Sequence, residues 1–194
     1  KQVADGVWQL RGIPPNAINV YLAEDVLIDA GTRHAARRIL RQLKGHTVRA
    51  HALTHAHSDH QGSSDEVCGK LGIEYWVGER DVPYAEEPAK LAELQAGHPY
   101  TRLGMRYFVG PGRNVDRALR EGDDVAGFTV LRVPGHSPGH VAFWRERDGV
   151  LILGRPGRAH SLWLFWENDR FAGWYVQLED PWRPFRFGFD TADH

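Results

Sequence analysis

The chain has 194 residues, enough for one domain with a proper apolar core, and its 24 Lys and Arg residues balance 25 Asp and Glu. That balance gives no electrostatic reason to expect a nucleic-acid or anionic-membrane partner. The one cysteine, Cys68, excludes an internal disulfide and a thiolate zinc cluster, which fits a reducing cytoplasm.

No run of about 18 apolar residues is present, and the start "KQVADGVWQL" lacks the apolar centre of a signal peptide. Short strands come first: "VWQL", "INVYLA" and "VLIDAG", rich in β-branched and aromatic residues and separated by turn residues, as in a meander. Asp29, Gly31 and Thr32 then supply helix-start chemistry before "RHAARRILRQLKG". There Ala35, Ala36, Ile39, Leu40 and Leu43 share one helical face, and Gly45 ends the segment.

"VRAHALTH" reads as a buried strand running straight into "THAHSDHQG", and ligand sites in α/β folds sit at the C-terminal ends of such strands. A helix over "SSDEVCGKLG", with Cys68 as a small buried hydrophobe, a strand "EYWVG" and a helix over "EEPAKLAELQAG" are expected next. Residues 98–113 lack periodicity and read as loop with at most one strand. "FTVLRV", "HVAFWRE" and "VLILG" read as strands, with a histidine-bearing loop between the first two and a hairpin turn at Asp148 and Gly149 between the last two. After Gly154 the composition changes: residues 155–194 hold four of the seven tryptophans and show neither helical nor strand periodicity. With no repeat or linker in the chain, one domain over 1–194 is expected, the last forty residues being an atypical tail.

A metal ion needs neutral imidazoles or carboxylates converging from a rigid support, and a tight turn leaving a strand can aim His55 and His57 to one side. Asp59 and His60 lie one turn further on. Two adjacent donors rarely complete a site, so a further histidine should come from elsewhere, and "PGHSPGH" supplies His136 and His140. Isolated histidines such as His34, His46, His51 and His98 read as structural or solvent-facing.

The spacing His-x-His-x-Asp-His, together with "LIDAG" and "GHSPGH" before a hairpin, resembles the metallo-β-lactamase superfamily over residues 3 to 154. That resemblance implies an α/β (α+β) fold, a four-layer αβ/βα sandwich with metals at one edge. It implies His55, His57 and His136 as ligands of a first ion, Asp59 and His60 as ligands of a second, and Asp29 and His140 as residues that support them. The cofactor implied is Zn2+, one ion or two, with iron and manganese as alternatives. The activity implied is hydrolysis of a small ester, thioester, lactone or amide by a zinc-activated water, with Asp59 as the catalytic carboxylate.

The sequence departs from the family after Gly154, where Arg155 stands in place of an aspartate that bridges two ions. At ~5 Å and an effective dielectric of ~20, a guanidinium there costs on the order of 3 kcal/mol per unit of metal charge. Nor is the family's late histidine matched: His160 comes early, His194 ends the chain, and Asp169 and Asp180 are the remaining candidates. Two further readings follow, a degenerate metal-binding relative with little hydrolytic activity and an iron-dependent redox enzyme of the same fold. The expected partner is a small-molecule substrate. Trp163, Trp166, Trp174 and Trp182 are either core or a surface for self-association.

Overall fold

The computed structural model describes residues 1–13, 18–90, 109–154, 162–167, 170–176 and 185–187, the last three stretches by their backbone only. Two compact units result, Lys1–Gly154 and Arg155–His194.

In the first unit, seven strands form one sheet in sequence order: β1 (Gln2–Ala4), β2 (Val7–Leu10), β3 (Val20–Ala23), β4 (Val26–Ile28), β5 (Ala50–Ala52), β6 (Glu74–Gly78) and β7 (Arg117–Leu119). The first four pair antiparallel as the expected meander, and β4 through β7 run parallel. Parallel pairing demands crossovers, and helices provide them. α1 (Ala36–Gln42) connects β4 to β5, while α2 (Ser58–Gln61) and α3 (Ser64–Leu71) connect β5 to β6. β6 leads through a 3-10 turn (Glu79–Asp81) into α4 (Val82–Glu86). The helix expected over "EEPAKLAELQAG" starts at residues 88–90, and its remainder lies outside the described residues.

β8 (Asp124–Val125), β9 (Phe128–Arg132), β10 (Val141–Arg145) and β11 (Val150–Leu153) form a second sheet, in the order β11-β10-β9-β8. The two sheets meet through alternate residues: Val7, Val26, Ile28, Ala50, Ala52 and Trp76 of the first pack with Phe128, Val130, Val141, Phe143 and Ile152 of the second. Leu22 and Leu27, on the opposite face of the first sheet, pack with Ala35, Ala36, Ile39 and Leu43 around α1. Cys68 of α3 packs with Tyr75 and Val77 of β6 and Ala85 of α4. Burial pushes the Cys68 thiol up to about 12, so it is an inert apolar side chain, as its place on the helix suggests.

Burial on both faces explains why β4 is a continuous apolar run and why every residue of β5 is buried. It also strands one imidazole inside. On β5, His51 donates from Nδ1 to the Leu27 carbonyl (3.1 Å) and accepts at Nε2 from the Ser64 hydroxyl (2.8 Å), a fully satisfied neutral ring. Burial lowers its pKa from 6.5 to about 4. Because the folded value is the lower one, this histidine stabilises the fold fully above pH 6.5, and that contribution is lost as pH falls from 6.5 through about 4. The loss is expected to reach about 3 kcal/mol. Urea unfolding across that pH range should show it, and His51→Asn should flatten the slope.

The second unit contains one three-stranded antiparallel sheet, β12 (Leu162–Glu167), β13 (Arg170–Val176) and β14 (Phe185–Phe187). The lack of strand periodicity after residue 154 thus does not mean a lack of strands. "LWLFWE" and "RFAGWYV" carry near-continuous apolar and aromatic runs, and a strand without alternation has no period-2 signal to read. No helix among the described residues is long and apolar enough to cross a membrane.

Candidate metal centre

Two loops at the strand ends build the site. The first leaves β5 at Leu53 and turns into α2, carrying His55, His57, Asp59 and His60. The second joins β9 to β10 and carries His136 and His140. One ligating nitrogen each of His55, His57 and His136 lies within 4.8 Å of the others. His57 Nδ1 and His136 Nε2 face one another at 2.9 Å, and the His55 ring lies 4.7 Å from each of the other two rings. His60 and His140 flank His55, with ring centroids at 4.0 and 4.8 Å.

Asp29 fixes how the first loop presents its rings. β4 ends at Ile28 because Asp29 adopts φ +61°, a left-handed conformation that aspartate tolerates better than most residues. Its buried carboxylate accepts from the Thr54 backbone N–H (2.8 Å), from the Thr54 hydroxyl (2.9 Å) and from His60 Nδ1 (2.7 Å). Thr54 has one hydroxyl hydrogen and spends it on Asp29. The Thr54 oxygen, 3.0 Å from His55 Nδ1, therefore accepts from that nitrogen. Protonation at Nδ1 leaves the lone pair of His55 on Nε2, and the same logic leaves that of His60 on Nε2.

His55 Nε2 is buried and has no hydrogen-bond partner among the described residues. Burial, reinforced by the surrounding imidazoles, holds the His55 pKa well below its ordinary value. Burial also lowers that of His57, against the opposing pull of Asp59. Neutral rings with inward lone pairs are what a borderline divalent cation requires. The 2.9 Å between His57 Nδ1 and His136 Nε2 and the 4.8 Å limit on all three compare with the roughly 3.3 Å that tetrahedral ligands at about 2.0 Å subtend. The residues fit the ion that the resemblance implies.

Asp59 lies partly exposed on α2, its Oδ2 3.7 Å from His60 Nε2. His140 is buried with its ring against His55, outside the close trio. Arg155, His160, Asp169, Asp180 and His194 lie outside the residues whose side chains are described. The preceding Gly154 is described: a Cβ there would lie 2.7 Å from His55 Nδ1, so the end of β11 touches the ligand loop directly.

One buried acid escaped the sequence reading. Asp81, in the 3-10 turn after β6, accepts from Ala56 N–H (2.9 Å), the Ser137 hydroxyl (2.6 Å) and Gly139 N–H (2.6 Å). Burial raises its pKa, and those three bonds pull the other way. The sequence signal is only an aspartate ahead of Val82 and Pro83, which reads as a helix N-cap.

Two sheets packed face to face, with imidazoles gathered on loops at their strand ends, define a mixed α/β protein built around a metal centre. The model of the metallo-beta-lactamase superfamily matches residues 13–190, and the chain belongs to that superfamily. The probable metallo-hydrolase YflN of Bacillus subtilis is 28% identical over 174 residues, covering 79% of this chain and 64% of its own length. A cytidylyl-2-hydroxypropylphosphonate hydrolase of Streptomyces fradiae is 50% identical over 51 residues, a quarter of each chain. A metallo-beta-lactamase family protein from Thermus thermophilus superposes with a TM-score of 0.61 at 28% identity, covering 84% of this chain and 64% of that one. The chain thus spans less than two thirds of the length of YflN and of the Thermus protein.

Proposed function

We propose that the protein is a zinc-dependent hydrolase of a small ester, thioester, lactone or amide. The observation that carries this reading is the buried Nε2 of His55, without a hydrogen-bond partner among the described residues, in a cluster where His57 and His136 offer two more nitrogens within 4.8 Å. These three residues would hold the ion. When bound, zinc supplies Lewis acidity and brings the pKa of water toward roughly 7.

The remaining work falls to the chain itself. Asp29 and Thr54 keep the His55 lone pair on the inward nitrogen. Asp59, partly exposed beside His60, would orient a water through one carboxylate oxygen and take up its proton. The same carboxylate can return that proton to the departing alkoxide, thiolate or amine. His60, tied to Asp29 through Nδ1, keeps Nε2 turned toward Asp59 and supports a second ion in this reading.

Chelator dialysis followed by zinc titration tests the proposal. The substrate panel is a nitrophenyl ester, a thioester, a lactone, an anilide and a cytidylyl phosphonate, the last prompted by the name of the Streptomyces relative. Activity toward at least one substrate is expected to vanish on dialysis and to return with zinc. Arg155, in the sequence position of a bridging carboxylate, favours a second reading, a metal-binding protein without turnover. Full zinc loading with no hydrolysis across the panel would support that reading and refute the first.

A further inference from the structure

Asp81 sits at the N-cap position of α4, where an aspartate ordinarily accepts from its own helix, yet it makes no such cap. Its carboxylate turns instead toward two loops far apart in sequence. Oδ2 takes the N–H of Ala56, the residue between His55 and His57, together with the hydroxyl of Ser137, which follows His136. Oδ1 takes the N–H of Gly139, just before His140. The Asp81 side chain is fully buried, and burying an acid is costly unless its bonds are specific.

The neighbouring chain is shaped around this contact. A Cβ on Gly139 would collide with the Asp81 backbone, so only glycine lets the second loop approach so closely. The Ala56 peptide is held from its other side as well, because Gln61 Nε2 donates to the Ala56 carbonyl at 2.7 Å. Gln61 belongs to the first loop's own helix, however, and cannot register that loop against the second. Asp81 reaches both.

We infer that Asp81 is the positioning residue that sets the spacing between the two ligand-bearing loops, and through it the affinity of the histidine cluster for its ion. This rests on the zinc-site reading above but not on hydrolysis. Asp81 is not one of the three converging ligands. It acts through Ala56 on the rings of His55 and His57, and through Ser137 and Gly139 on those of His136 and His140.

The test is Asp81→Asn in the full chain. Asparagine keeps the size of the side chain but has one acceptor oxygen. In either orientation its amide hydrogens meet a backbone N–H, at Gly139 or at Ala56, so one loop is released. Zinc affinity by competition with a chromophoric chelator is expected to fall roughly 10- to 100-fold, measured where circular dichroism shows both proteins folded. The visible absorption of the cobalt-substituted protein should change in band position and intensity, which a loss of stability alone would not produce. Ser137→Ala, which removes one bond and leaves the carboxylate, is expected to shift affinity in the same direction by a smaller factor and keeps the question answerable if Asp81→Asn fails to fold. Unchanged zinc affinity and an unchanged cobalt spectrum in the folded variants would overturn the role of Asp81. Zinc binding by the wild type without turnover would overturn the hydrolase reading alone.

Discussion

Replacing His136 by alanine is expected to weaken zinc binding about a thousandfold and to abolish hydrolysis with it. The ring is one of three that converge, and a structural zinc site is worth about 10–16 kcal/mol overall, so one ligand among three or four accounts for about 4 kcal/mol. The fold should survive, because His136 lies partly exposed on a loop outside the two-sheet core. Calorimetric zinc titration beside a thermal melt of the metal-free protein checks both halves. His140→Ala is the control: its ring also packs near His55 but lies outside the trio, and a loss under tenfold is expected. If His136→Ala binds zinc within threefold of the wild type, the second loop is not part of the centre.

Asp29→Ala should be the most destabilising single change near the site. It strands the Thr54 N–H, the Thr54 hydroxyl and His60 Nδ1, three donors converging on one buried carboxylate. Charge-assisted bonds of this kind are worth about 1.5–3 kcal/mol each when broken singly, and removing a shared buried anion typically costs about 3–5 kcal/mol in all. Alanine at φ +61° adds about 1 kcal/mol of backbone strain. Asp29→Asn tolerates the backbone and keeps one oxygen, so it should lose less than half as much. Urea unfolding of the metal-free proteins measures the difference. Equal stability of Asp29→Ala and wild type would mean that the buried network contributes nothing to folding.

The parts of this molecule legible in its sequence are those fixed locally. "VWQL" and "EYWVG" coincide with β2 and β6, and "SSDEVCGKLG" with α3, because β-propensity or helical spacing is complete within each segment. The histidine spacing announces the metal centre for the same reason. β1, β7 and β8 were not legible: each is two or three residues long and owes its existence to a neighbouring strand. "VRAHALTH" shrinks to Ala50–Ala52, since beyond Leu53 the N–H groups of Thr54 and Ala56 bond to the side chains of Asp29 and Asp81 rather than to a neighbouring strand. The role of Asp81 is illegible for a deeper reason. Its local context, an acid before a proline-bearing helix, is fully accounted for by capping, and only the folded chain brings residues 56, 137 and 139 within its reach.

With β5 only three residues long, the ligands that follow it are not an extension of the sheet. They ride on a short clasp pinned by two side chains from elsewhere, Asp29 after β4 and Asp81 after β6, and by Gln61 of its own helix α2. Those side chains hold the peptide units on which the imidazoles are carried. Changes at these pins therefore act on the spacing of the imidazoles without altering the apolar contacts between the sheets.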